Sequence, residues 1–163
     1  MTDRPRHSFF GLLFWTAISF APGLTGYLYP PDGWWNRIDK PSWTPPDYLF
    51  GIVWPILYVL IGIAVYNVAR RRDHVGRGPA LLWFFAQWVL NALWTPLFFG
   101  MHRPDLALAC IVLMWLGIVG TIRSFARVAP LSSALLIPYL AWVSFAAALN
   151  APIPDTRFGV FRM

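Results

Sequence analysis

The chain has 163 residues, 58% hydrophobic and only 12% charged, with a formal charge of +6. Soluble domains carry about twice that share of charge, and ten tryptophans with thirteen phenylalanines leave far too much apolar surface for water, which excludes a soluble globule. The basic excess sits in short loops between apolar runs, not in a stripe on a polar surface, which excludes nucleic acid as a partner and points to lipid head groups and topology.

In chain order, Arg4, Arg6 and His7 precede the apolar run Phe9–Phe20, and Ser19 with Ala21 imitates a signal-peptide cleavage site. Pro22 suits a cleavage junction badly and apolar sequence continues through Gly26–Tyr29, so this reads as a retained first helix, Phe9–Tyr29. The connection 30–47 is too rich in Trp and Pro for a flexible linker. Pro41, Pro45 and Pro46 fix φ and remove donors, which predicts an extended segment, with Thr44 as N-cap and Trp43 at a membrane–water interface. Four further apolar helices follow at Tyr48–Ala69, Pro79–Phe99, Asp105–Ile122 and Leu131–Leu149.

Short links make neighbouring helices antiparallel, so the expectation is all-α: one membrane domain, 1–163, built as a five-helix bundle. The tail Ala151–Met163 holds two prolines and is not expected to be helical throughout. Arg4, Arg6, Arg70, Arg71, Arg72, Arg77, Arg123 and Arg127 fall on the N-terminal side, against Arg37, Lys40, Arg103, Arg157 and Arg162 on the other. In a bacterial inner membrane that asymmetry places the N-terminus in the cytoplasm; an outer-membrane location would void the rule. Pro22, Pro55, Pro96 and Pro138 each remove a backbone bond inside a helix. Lipid tolerates this where the freed carbonyl faces protein or a cavity, so four such prolines predict a bundle bowed around an internal space.

The third helix carries Gln87, Asn91, Trp94 and Phe98 on one stripe. Amides are costly in hydrocarbon, so the stripe faces inward, either for interhelical hydrogen bonds or for a ligand. Trp54 and Tyr58, four residues apart, share a face of the second helix, and Pro138, Trp142, Ala146 and Leu149 share one on the fifth. Aromatics on these faces can simply pack a core. Taken with the amides, the prolines and the stiff loop, they describe an apolar pocket with few polar groups. No Asp, Glu, Lys or Arg falls mid-span, which argues against ion coupling. His7, His74 and His102 lie in loops or the tail, and Cys110 is alone, so no metal or haem-iron ligand set is expected.

The runs KPSWTPPDYLFGIVWPILYVLIGIA, QWVLNALWTPLFFG and LLIPYLAWVSFAAALN resemble the tryptophan-rich sensory protein family, TspO/MBR, over about Gly11 to Asn150. That group includes the mitochondrial translocator protein, or peripheral benzodiazepine receptor. The resemblance implies a five-helix membrane bundle, commonly a homodimer. Its pocket under the first loop binds porphyrins and related tetrapyrroles, benzodiazepine- and isoquinoline-type drugs, and in some members cholesterol. By position the pocket residues would be Trp54, Tyr58, Asn91, Trp94, Trp142, Ala146 and Leu149, with Trp34, Trp35 and Trp43 in the lid. A sensor or receptor for tetrapyrrole is the leading expectation, with no resident cofactor. Light-dependent porphyrin degradation by Trp54 and Trp142, and facilitated transport of tetrapyrrole or lipid, are the alternatives. Leu149–Arg157, LNAPIPDTR, lacks the tyrosine of the cholesterol-recognition pattern, which argues against sterol. Small-residue spacing for a dimer face is also unclear on the third helix, where Trp83, Phe84 and Phe85 are bulky.

Overall fold

The computed structural model describes residues 8–153, and among these it contains helices, turns and loops but no strand. Arg4, Arg6, Arg157 and Arg162 of the topology count, together with His7 and the end of the LNAPIPDTR segment, lie outside the described residues. Five helices are long and apolar enough to cross a membrane: Phe9–Leu28, Tyr48–Ala69, Arg77–Gly100, Pro104–Val128 and Pro130–Asn150. The third and fourth spans pack along most of their length, as do the first and second, while the fifth lies against the fourth and the second.

Each proline marks a local event with a physical cause. Pro22 turns the first span to a tighter 3-10 turn over Ala21–Gly23. The Ile18 carbonyl, which the missing Pro22 N–H would have served, accepts from the Trp88 indole of the third span at 2.8 Å. Pro96 opens a π turn over Pro96–Gly100, closed by the Met101 N–H donating to the Pro96 carbonyl at 2.8 Å. Pro55 alone sits inside an uninterrupted helix. It deprives the Gly51 carbonyl of its helical donor, and Gly51 lies on the wall of an internal cavity. Pro138 departs from expectation. The fifth span breaks at Leu135–Leu136, between helices Pro130–Ala134 and Ile137–Asn150, and Pro138 occupies the first turn of the second piece, where an N–H has no helical partner to lose.

Two further boundaries are corrected. The fourth span runs to Val128, so Arg123 and Arg127 lie on its last turns and not in a loop. Thr44 does not cap the second span, which begins at Tyr48 behind Asp47. Instead the Thr44 hydroxyl and N–H both donate to the Pro41 carbonyl, at 2.7 and 2.9 Å. Consecutive Pro45 and Pro46 hold the residue before each out of helical φ/ψ, so the helix waits until both have passed.

Small residues set the closest helix approaches. A Cβ on Gly62 would stand 2.6 Å from the Thr16 Cα, and one on Gly120 would stand 2.5 Å from the Trp83 ring. Between the third and fourth spans, the small partners are therefore two glycines of the fourth, Gly120 facing bulky Trp83 and Gly117 facing Gln87. Gly62→Ala should destabilise the first-to-second contact by about 1–3 kcal/mol through overpacking. Thermal unfolding in detergent checks it, with Gly26→Ala as control because nothing lies within 4 Å of a Cβ there.

The bundle is solid in one half and hollow in the other. Val65, Phe84, Ile118, Phe125 and Leu136 fill the half next to the Arg70–Arg77 connection. Towards the 30–47 loop the helices diverge around a cavity. That loop folds over it as a short helix, Gly33–Arg37, held by a second small core of Trp35, Ile38, Phe98, Ala107 and Ile153.

Candidate functional site

The cavity holds about 660 Å³, within the range of about 300–1,000 Å³ common to small-molecule sites. Every span contributes to its wall. The second supplies Trp54 and Tyr58, the third Asn91, Trp94 and Phe98, and the fifth Trp142, Ala146 and Leu149. Nine of the twelve residues singled out from the sequence line it: these eight and Trp35 of the loop.

Trp34, Trp43 and Gln87 do not line it. Trp34 and Trp35 are consecutive on one helical turn, so their side chains diverge by about 100° and only one can point inward. Trp35 is that one, edge-on to Phe98 and Phe99, while Trp34 stacks on His102 with centroids 4.7 Å apart. Trp43 is half exposed and rests its edge on Phe145 at 5.7 Å. Gln87 lies one turn deeper than Asn91, in the solid half, and packs against Gly117.

The two amides belong to one hydrogen-bonded chain. The Tyr58 hydroxyl donates to Asn91 Oδ1 at 3.3 Å. Asn91 Nδ2 donates to the Tyr139 oxygen at 2.8 Å, and the Tyr139 hydroxyl donates to Gln87 Oε1 at 2.8 Å. Of the two roles left open for the amides, Gln87 takes the interhelical bond and Asn91 takes that bond while also facing the cavity. Tyr139 went unnoticed in the sequence, although a tyrosine at mid-span brings a hydroxyl into hydrocarbon and so requires a partner. The first span's share, Phe20, Pro22, Gly23, Leu24 and Gly26, was signalled only by the Pro-Gly break.

The aromatic wall is ordered. Trp54 stacks on Tyr58 at 5.4 Å, Trp94 on Phe98 at 5.0 Å, and Trp142 meets Phe50 edge-on at 5.5 Å. The indole nitrogens of Trp94 and Trp142 are buried and have no hydrogen-bond partner. Unmet buried donors are costly, and two in one apolar wall suit a ligand carrying acceptor atoms.

The loop is fastened at two points. The Trp35 indole donates to Asp47 Oδ1 at 3.3 Å, and Lys40 Nζ donates to the Trp35 carbonyl at 2.8 Å while lying 4.3 Å over the Trp35 ring. Asp32 caps the short helix by accepting from the Trp34 and Trp35 N–H groups, and it faces His102 Nε2 at 3.0 Å. His102 itself sits at φ 51°, a left-handed turn between the third and fourth spans. Desolvation pushes the Asp32 carboxyl up, but the two backbone donors and His102 outweigh it, holding the group below its ordinary value. A depressed folded pKa means the cap's contribution is present above the ordinary carboxylate pKa and is lost as pH falls through the lower folded value. Asp32→Ala should loosen the short helix locally by removing its cap, seen as faster amide exchange over 33–37, with the cavity-facing spans unchanged.

Five spanning helices around a mostly aromatic cavity of ligand size, covered by a structured loop, define an integral membrane protein with a large internal cavity. The TspO/MBR family model matches residues 8–155, and the chain belongs to that family. It is 41% identical over 130 residues to a tryptophan-rich sensory protein of Cereibacter sphaeroides, covering 80% of each chain. It is 44% identical over 140 residues to the tryptophan-rich protein TspO of Chlorobaculum tepidum, covering 84% of this chain and 87% of that one. The translocator protein of Sus scrofa is 36% identical over 141 residues, covering 82% and 83%. Family and relatives together support a membrane sensor or translocator role.

Proposed function

We propose that the protein is a membrane receptor that binds a porphyrin or related tetrapyrrole in this cavity, its occupancy being read out as a regulatory signal. The observation that carries the reading is the convergence of Trp54, Trp94 and Trp142, from three different spans, on one volume. Flat indole faces give a macrocycle stacking surfaces, and the unpaired Trp94 and Trp142 N–H groups give it donors. The same features fit flat, neutral, carbonyl-bearing drugs. Placement in a bacterial membrane with the N-terminus cytoplasmic, and assembly as a homodimer, belong to this proposal.

Titration of the detergent-solubilised protein with a porphyrin tests it. Saturable quenching of tryptophan fluorescence with a shifted Soret band is expected; a non-saturable response equal to that of an unrelated membrane protein overturns it. A second reading, light-dependent degradation of the bound porphyrin that begins with electron transfer from an indole to the excited macrocycle, is favoured by one observation: Trp54 stacks on Tyr58 and meets Tyr139 edge-on at 6.2 Å. Such a cluster of oxidisable rings can share the electron deficiency left when an excited macrocycle oxidises an indole. Loss of the Soret band under light in the wild type but not in a Trp54→Phe variant that still binds would select it.

A further inference from the structure

The end of the bundle opposite the cavity carries a concentration of arginine that the cavity does not use. Six are described there, Arg70, Arg71, Arg72, Arg77, Arg123 and Arg127, against one acid, Asp73. Two are engaged within the protein: Arg70 lies 5.9 Å over the Tyr66 ring, and Arg77 Nε donates to the Ala69 carbonyl at 2.8 Å. Arg71, Arg72, Arg123 and Arg127 are exposed. Among the described residues no carboxylate comes within ion-pair distance of these four.

They share one surface. The 70–77 connection is folded into turns: the His74 N–H donates to the Arg71 carbonyl at 3.1 Å, the Arg77 N–H to the His74 carbonyl at 2.9 Å, and the Gly76 N–H to His74 Nδ1 at 3.0 Å. Those turns seat Gly76 on the fourth span, where an added Cβ would stand 3.2 Å from Val128 Cγ2. The fourth span has 25 residues, about 37 Å at about 1.5 Å each, against a hydrocarbon core of about 30 Å. Its apolar run ends at Ile122, so Arg123 and Arg127 stand at head-group depth. Val75 of the connection is 95% exposed and Leu131, just past the fourth span, 86%. At that depth acyl chains can cover both.

Local effects do not account for the set. The helix dipole favours a cation in the last turn, which covers Arg127 but not Arg123, Arg71 or Arg72. Arg123 and Arg127 are four residues apart on one helix face, where like charges repel unless an anion lies between them. A guanidinium forks onto phosphate oxygens. A phosphodiester that carries acyl chains satisfies the cations and the apolar side chains beside them together.

We propose that this surface binds one anionic phospholipid, its head group held between Arg71 and Arg72 of the connection and Arg123 and Arg127 of the fourth span, its chains against Val75 and Leu131. The site is remote from the cavity and independent of what the cavity holds.

The test follows the unfolding temperature of the full chain in neutral detergent as phosphatidylglycerol or phosphatidylcholine is added, since a ligand that binds only the folded state raises it. Phosphatidylglycerol should give a saturable rise with a midpoint at least about tenfold lower than that of phosphatidylcholine, and added salt should raise that midpoint. Replacing two cations, as Arg123→Gln with Arg127→Gln or as Arg71→Gln with Arg72→Gln, should raise it about thirtyfold. Arg123→Lys with Arg127→Lys keeps the charge and loses the fork, and should raise it about threefold. Arg37→Gln, at the other end of the bundle, should leave it unchanged. Each variant is referred to its own lipid-free unfolding temperature, so a change in intrinsic stability does not imitate lost binding. Equal midpoints for the two lipids would mean ordinary lipid solvation, and a lysine pair equal to wild type would mean diffuse charge without a site. The same rise with glycerol 3-phosphate would mean a site for free phosphate. Each of these three results overturns the proposal.

Discussion

Trp142→Ala should weaken porphyrin binding by about ten- to a hundredfold, the largest effect expected of any single substitution in the wall. An aromatic ring stacked on a flat heterocycle is worth about 1–3 kcal/mol by alanine truncation, and Trp142 also presents an indole N–H with no partner of its own. Its ring further separates the cavity from an outer groove between the second and fifth spans, lined by Val53, Ile56, Ala141 and Phe145. Truncation thus removes a stacking face and a donor and opens the wall towards lipid. Trp142→Phe keeps the wall and loses the donor, so it should fall between wild type and alanine. Trp54→Ala should lose a comparable stacking contribution. Trp43→Ala, on a half-exposed ring outside the cavity, should leave affinity unchanged. Equal quenching curves for Trp142→Ala and Trp43→Ala would show that the ligand does not occupy this cavity.

The second large effect is on stability. Asn91→Ala should destabilise the folded protein by about 2–4 kcal/mol, because it removes the acceptor of the buried Tyr58 hydroxyl and the donor to the buried Tyr139 oxygen, at roughly 1–3 kcal/mol for each unmet buried group. Gln87→Leu ends the chain one link sooner, leaving the Tyr139 hydroxyl only the weak Met114 Sδ acceptor at 3.6 Å, and should cost less than Asn91→Ala. Because the groups polarise one another in sequence, Asn91→Ala and Tyr139→Phe should be non-additive. Melting temperatures of the two single variants and the double in detergent decide it. Costs that simply add would mean three independent contacts and not a connected chain.

Much of the fold was legible because hydrophobic length and helical period are local properties. The span Tyr48–Ala69 has the same bounds in sequence and structure, and the inward faces carrying Asn91, Trp94 and Phe98, and Trp142, Ala146 and Leu149, follow from spacing alone. The prolines were legible as sites where backbone bonds are lost, and the partner of one was not: nothing in the first span announces that Trp88, seventy residues on, will take the Ile18 carbonyl. Thr44 misled because its hydroxyl suits a cap as well as a turn, and the two prolines after it decided between them. The fourth span proved longer than hydropathy indicates because Arg123 and Arg127, exposed on its last turns, can extend their heads to water while the backbone stays helical.

By itself the sequence determined that this chain lives in a bilayer, crosses it five times and turns aromatic and amide faces inward. Composition and periodicity act on each helix separately, and lipid permits few other solutions. Only the tertiary structure decided that the hollow half lies under the loop, that Trp35 and not Trp34 enters it, that Gln87 is held below it by Tyr139, and that Asp47 is the one charged side chain among the described residues lining it. Those outcomes depend on the depth and rotation of one helix against another. Such relations are set by long-range contacts, among them the glycine approaches at Gly62 and Gly120, and they leave no periodic trace in any one segment.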